Sequence, residues 1–138
     1  MKSIDELILP ENHRYADDHE WARVEGDKVR VGIDDYAQDQ LQAIVYVELP
    51  EVGAQFQKGE PFGVVESVKA VVDCYMPVGG EIIAVNTALV DSPQLVNESP
   101  YEEGWMIDVK PTDLREMDSL YTSDSIKEQI LKRMEEGK

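Results

Sequence analysis

Gly63-Val64-Val65-Glu66-Ser67-Val68-Lys69-Ala70-Val71-Val72-Asp73-Cys74-Tyr75 is the stretch on which the reading of this chain turns. Residues 61–65 and 70–75 are rich in β-branched and aromatic side chains, and such runs favour strands. Between them Glu66-Ser67-Val68-Lys69 is too short for anything but a tight connection, so the pair reads as a hairpin with a lysine at or near its tip. Val64, Val65, Val71 and Val72 are expected to anchor both arms by packing, holding the tip away from the core. An amine so placed suits a swinging arm. Acylation removes its charge and extends it into a long tether, and a modifying enzyme needs the amine exposed in one geometry. By itself a lysine at a β-turn is more often a solvated charge.

The surroundings make that lysine conspicuous. The chain has 138 residues, a formal net charge of −16 and 30% charged residues against 42% hydrophobic ones. These are the proportions of a globular domain with one core. Between Val31 and Val109 the cations are Lys58 and Lys69, with no arginine. Such an acidic surface repels nucleic-acid phosphates and anionic headgroups, so neither nucleic acid nor membrane is an expected partner. Basic protein surfaces are. Met1-Lys2-Ser3-Ile4-Asp5-Glu6 lacks the order of a secretory signal, and its acids argue against a transit peptide, so a cytoplasmic protein is expected. Cys74 is the one cysteine and His13 and His19 the two histidines, which excludes an internal disulfide and disfavours a metal centre. Cys74 reads as a small buried side chain.

Outward from the hairpin, the chain reads as short strands and turns followed by a helical tail. Residues 21–24 and 29–33 are strands joined by a Glu25-Gly26-Asp27 turn. Asp34-Asp35 opens a short helix to Leu41. The near-continuous apolar run 43–49 suggests a central strand buried on both faces, ended by Pro50. Pro77-Val78-Gly79-Gly80 is a turn whose glycines tolerate positive φ, residues 81–85 and 105–109 are strands, and Ser92-Pro93 looks like a helix start with Asn97 as its stop. Residues 113–117 make a helical turn or two. From Ser123 to Glu136, Ile126, Ile130, Leu131 and Met134 recur at helical spacing, with Ser125–Glu128 or Ser123 as the cap, and the helix should cover a sheet edge. One domain is expected, with its core at about 15–111 and the tail at about 112–138.

Glu66-Ser67-Val68-Lys69-Ala70 resembles the lipoylation motif of the glycine cleavage H protein family. The likeness extends to His19-Glu20-Trp21, Val31-Gly32-Ile33-Asp34-Asp35-Tyr36-Ala37-Gln38, Val45-Tyr46-Val47-Glu48-Leu49-Pro50, Asn97-Glu98-Ser99-Pro100-Tyr101 and Gly104-Trp105-Met106, in order from about Tyr15 to Pro111. The resemblance implies two small antiparallel sheets in a flattened barrel or sandwich, with short outer helices and a C-terminal helix. It implies lipoate in amide linkage to Lys69, with Glu66, Ser67, Val68 and Ala70 as the motif read by a lipoate ligase or a lipoyl/octanoyl transferase. It also implies a carrier rather than an enzyme. A pyridoxal-phosphate glycine decarboxylase would load the arm with an aminomethyl group, and a tetrahydrofolate-dependent aminomethyltransferase would unload it. A flavin dihydrolipoamide dehydrogenase, passing electrons to NAD, would reoxidise it.

In the family the loaded arm folds back towards the His-Glu-Trp segment, so His19, Glu20, Trp21 and Asp73 are candidates to meet it. Glu20 and Asp73 would serve as acids for the cationic nitrogen and His19 and Trp21 as shaping residues. Asp18 before His19 and Met76-Pro77-Val78-Gly79-Gly80 depart from the common pattern. Alternatives are an H-like lipoyl or octanoyl donor or redox-linked carrier, an unmodified scaffold, and a biotinyl carrier. The last usually flanks its lysine with methionines, whereas Val68 and Ala70 stand here.

Overall fold

The structure is a computed structural model that describes residues 1–136. A 3-10 turn at Ile4–Glu6 precedes β1 (Arg14–Tyr15), β2 (Glu20–Glu25), β3 (Lys28–Ile33), α1 (Asp35–Leu41), β4 (Ile44–Glu48), β5 (Gln55–Phe56), β6 (Pro61–Ser67), β7 (Val71–Tyr75) and β8 (Gly80–Val85). Two single-turn helices follow, α2 (Ala88–Asp91) and α3 (Leu95–Glu98), then β9 (Ile107–Pro111), a 3-10 segment Leu114–Ser119 and α4 (Ser123–Glu136). The strands form a six-stranded sheet in the order β1-β2-β3-β9-β8-β5 and a three-stranded sheet in the order β4-β6-β7. Every pairing is antiparallel, and the two sheets do not close into a barrel.

Alternation along β2 and β3 divides the interior in two. Ala22, Val29, Val31 and Ile33 join Val47, Phe62, Val65 and Ile82 in one core. Trp21 points the other way, into a second cluster with Tyr15, Tyr101, Ile126 and Ile130. The C-terminal helix therefore completes the burial of the first sheet. Before it, Tyr121 bridges to Tyr15 on the edge strand β1, so the tail does cover an edge.

Several local expectations are corrected. β4 is an edge strand of the smaller sheet, and Val45 and Tyr46 are about half exposed, so the run 43–49 is not buried on both faces. The hairpin is anchored chiefly by Val65, fully buried opposite Val47; Val71 and Val72 are exposed. Alternation turns one of two adjacent valines outward on any arm; on the return arm both lie exposed, and the first buried side chain there is Cys74.

Of the two turn glycines Gly80 takes a positive φ, +158, and Gly79 does not; the buried 77–80 segment also needs both for close approach. A Cβ on Gly80 would lie 2.2 Å from the Lys110 carbonyl oxygen. Ser92 is the C-cap of α2, which sequence reading missed, and α3 runs past Asn97 to Glu98. The cap of α4 is Thr122, whose hydroxyl accepts from the Ser125 N–H at 3.2 Å while the Ser125 hydroxyl accepts from the Thr122 N–H at 2.8 Å. The α1 cap holds: the Asp34 side chain accepts from the Ala37 N–H at 2.8 Å. Cys74 is buried as expected, and desolvation pushes its thiol well above the ordinary range.

Candidate functional site

β6 and β7 pair in the register Val64↔Asp73, Val65↔Val72 and Glu66↔Val71, leaving Val68, Lys69 and Ala70 to turn the chain. One side chain organises this tip. The buried Ser67 Oγ accepts from the N–H groups of both Lys69 and Ala70, each at 3.0 Å. Its own N–H donates to the Ala70 carbonyl at 2.8 Å, and the Val68 N–H donates to the Ala43 carbonyl at 3.0 Å. The turn is thus tied internally and to the chain entering β4, which fixes the backbone beneath the lysine.

Val68, Lys69, Ala70 and Glu66 are exposed. Among the described residues Lys69 enters no ion pair. Its nearer neighbours in the sequence are engaged: Arg30 forks onto buried Asp108 at 2.9 and 3.1 Å, Lys28 joins it at 3.0 Å, and Lys58 donates to the Ser119 hydroxyl. Lys110, Lys127 and Lys132 share with Lys69 the lack of an ion pair among the described residues. The isolation of Lys69 in the sequence corresponds to an unclaimed amine in the fold.

Beside the return strand of this hairpin lies a cleft of about 500 Å³ between β7, α1 and the turn before β2. His19, Glu20 and Asp73 all line it; Trp21 does not, being fully buried with its indole N–H donating to the Pro100 carbonyl at 2.9 Å. Three of the four arm-contacting candidates thus meet at one surface, and Trp21 supports it from behind. Tyr36, Asp17 and Arg133 also line it; Tyr36 stood in a quoted motif without a role, and sequence reading had singled out neither Asp17 nor Arg133. Arg133 in particular carries no local signal, since its contact with His19 spans 114 residues.

Glu20 is the unusual group. Its side chain is almost wholly buried; Oε2 accepts from the Tyr75 N–H at 3.1 Å, while Oε1 has no hydrogen-bond partner among the described residues. Desolvation pushes its pKa up to about 8, against the lowering effect of the Tyr75 N–H. A carboxyl group with an unused oxygen beside a cleft is prepared to accept a hydrogen bond from a cationic guest, and the guest's charge would draw it into the ionised form.

His19 occupies the left-handed region at φ +71. That conformation is uncommon for a residue with a Cβ, and its surroundings hold it there. Its N–H donates to the Ala16 carbonyl at 3.0 Å, its carbonyl accepts from the Asp34 N–H at 2.8 Å, and its ring lies 4.6 Å from that of Tyr36. Nδ1 lies 2.9 Å from the fully buried Asp34 carboxylate, and Arg133 donates to Nε2. These partners assign the tautomer: Nδ1 carries the proton and Nε2 accepts.

The chain as a whole has counterparts among known proteins. The family model described as "Glycine cleavage H-protein" matches residues 13–133. A glycine cleavage system H protein of Geobacillus sp. (strain WCH70) is 54% identical over 124 residues, covering 90% of this chain and 98% of that relative. Its counterpart from Bacillus subtilis (strain 168) is 52% identical over 122 residues, covering 88% and 96%. A crystal structure of a glycine cleavage system H protein from Mycobacterium marinum superposes with a TM-score of 0.81 at 40% identity, covering 88% of this chain and 98% of that one. With a match across nearly the whole length in sequence and in fold, this chain belongs to the glycine cleavage H-protein family.

Proposed function

We propose that this chain is the lipoyl carrier of a glycine cleavage system, with lipoate joined by an amide bond to Nζ of Lys69. The observation that carries the reading is the exposed, unpaired Lys69 on a tip fixed by Ser67. Placed there, lipoate supplies a reducible disulfide on a long tether, able to take an aminomethyl group from one enzyme and pass it, and later electrons, to others.

The residues suit that group. Ser67 sets the backbone angle from which the tether leaves, and the exposed Glu66, Val68 and Ala70 give a ligase or lipoyl/octanoyl transferase its local contacts. The cleft begins at Val72 and Asp73, three and four residues along the strand from the attachment point, or roughly 10–13 Å at strand rise. A tethered arm can therefore fold into it without leaving the protein. Inside, Ile33, Leu41 and Val72 offer apolar wall while Glu20 and Asp73 offer acceptors for a cationic end. Burial of the reactive end keeps water from it.

On this reading the chain makes and breaks no bonds of its own. A pyridoxal-phosphate decarboxylase, a tetrahydrofolate-dependent aminomethyltransferase and a flavin dihydrolipoamide dehydrogenase act on its arm in turn, in the cytoplasm. Charge complementarity fits these encounters: the hairpin end carries exposed Glu48, Glu66 and Asp73, and acylation of Lys69 removes its cation.

Intact mass of the protein from its native source tests the attachment. One lipoyl amide is expected, mapping to Lys69 by peptide sequencing and absent from Lys69→Arg. A Lys69→Arg chain that still supports complete glycine cleavage with the three partner enzymes would refute the reading.

A further inference from the structure

We propose that Arg133, on the C-terminal helix, is a positioning residue for the cleft. Through His19 it holds the wall formed by residues 17–20 closed, and so prolongs the shielding of whatever the arm carries. The proposal rests on the carrier reading above.

The geometry separates this role from plain helix packing. α4 is seated by Ile126 and Ile130, both fully buried against Tyr15 and Trp21. Arg133 stands about two turns beyond Ile126, with much of its surface in solvent, and the helix does not need it for burial. Its guanidinium nevertheless reaches across to one short turn and touches it twice, donating to His19 Nε2 and to the Asp17 carbonyl at 3.2 Å. That turn contains the left-handed His19 and leads directly into Glu20. Opening it would carry Glu20 away from the Tyr75 N–H and admit water to the cleft.

The choice of partners is equally informative. Asp17, Asp18, Glu20 and Asp73 all line the cleft, yet the guanidinium is ion-paired with none of them among the described residues. It reaches an imidazole nitrogen and a backbone carbonyl instead. The wall is closed while the acids are left for a cationic guest. An arginine suits this because its fork can serve two acceptors at once, which a lysine ammonium does with less geometric definition.

Two measurements test the proposal on Arg133→Met, Arg133→Lys and the adjacent exposed control Lys132→Met. On the unmodified chain, the His19 side-chain ¹⁵N signals should move in Arg133→Met and stay in place in Lys132→Met. On the lipoylated, cargo-bearing chain, hydrolysis breaks both the carbon–sulfur and the carbon–nitrogen bond of the aminomethyl group; water supplies the oxygen of formaldehyde, its protons go to sulfur and nitrogen, and the arm thiol and ammonium are left. That loss should run about fivefold faster in Arg133→Met, the scale of losing its two partly exposed hydrogen bonds together, with partial recovery in Arg133→Lys and little change in thermal midpoint. Cargo loss at the wild-type rate from a lipoylated Arg133→Met chain overturns the positioning role alone. A natively isolated chain with no lipoyl group on Lys69 overturns the carrier reading and this proposal with it.

Discussion

Glu20 makes the stability of this protein depend on pH in an unusual direction, and Glu20→Gln should abolish that dependence. Burial pushes its pKa up to about 8 from an ordinary 4.5. Between those two values the folded chain holds a proton that the unfolded chain has released. Stability must then fall as pH rises through that window, at a limiting slope of about 1.4 kcal/mol per pH unit. Over the whole interval the cost of ionising Glu20 in the folded state is on the order of 3–5 kcal/mol. Below pH 4.5 both states are protonated and nothing further changes; above about 8 the full cost is present.

Glutamine keeps the shape and one acceptor for the Tyr75 N–H but cannot ionise. Wild type and Glu20→Gln should therefore be nearly matched at pH 5 and diverge steadily to pH 9, with the variant more stable by a few kcal/mol. Urea unfolding followed by tryptophan fluorescence at pH 5, 6, 7, 8 and 9 reads this directly, since Trp21 is fully buried and reports the folded state. Burial also raises the pKa of Asp34, but it does so in both proteins and cancels from their difference. A difference that stays flat across the range would show Glu20 ionised throughout, and the account of an unpaired acid awaiting a cation would fail.

His13 should produce the opposite slope in acid. Desolvation, with Arg23 nearby, holds its pKa down at about 4, so the unfolded chain binds the extra proton below pH 6.5 and stability falls as pH drops towards 4; His13→Gln should flatten that limb by about 2 kcal/mol in the same urea assay. Ser67→Ala removes the acceptor for two N–H groups at the hairpin tip; global stability should change by about 1 kcal/mol or less, while the rate of Lys69 lipoylation by a purified ligase drops several-fold. Equal lipoylation rates would show that the tip needs no such fixing. Gly32→Ala places a Cβ 2.8 Å from the Trp21 indole, and Trp21 has no room to retreat; a loss of about 1–3 kcal/mol with a shift in tryptophan emission is expected.

The strands and the hairpin could be read from the chain because period-two patterning, turn residues and the Asp34 cap are local signals. The family resemblance extended that reading to Lys69. Burial was harder to read. A run such as residues 43–49 has the same composition whether its strand lies at the centre or the edge of a sheet, and the position of β4 is set by which strands pair with it. Paired valines at 64–65 and 71–72 suggested two anchored arms, but the pleat lets only one of a pair face inward, and on the 71–72 arm neither valine is buried. The α4 cap was misplaced by a few residues because Thr122, Ser123 and Ser125 all have the chemistry of a cap, and only the backbone decides among them. The cleft could be foreseen in part. His19, Glu20 and Asp73 stood in recognisable motifs, whereas Arg133 reaches the site through tertiary packing alone.

The distribution of rigidity connects these features. With the arm on Lys69 and the cleft as its resting place, as proposed above, a carrier that visits several enzymes cannot be shaped around any one of them, so its arm must be free while both its base and its resting place are preformed. The base is fixed by the Ser67 turn and by Val65 beneath it. The resting place is fixed by residues held in costly states, a left-handed His19 and an acid buried without a full set of partners. Such states persist when neighbours over-determine them, and here Asp34, Tyr36, Arg133 and the Tyr75 N–H do so. Those costs are incurred on folding, before any cargo arrives. A cation entering the cleft then meets an acceptor that needs little further reorganisation, and its arrival relieves the unsatisfied oxygen instead of stripping water from a solvated one. The same acid at the surface, already hydrated, would hold the guest far less well. The second cluster seats α4 over Tyr15 and Trp21; on the proposal made for Arg133, that seating keeps the wall of the cleft in its strained shape, and the helical tail then belongs to the site as much as to the core.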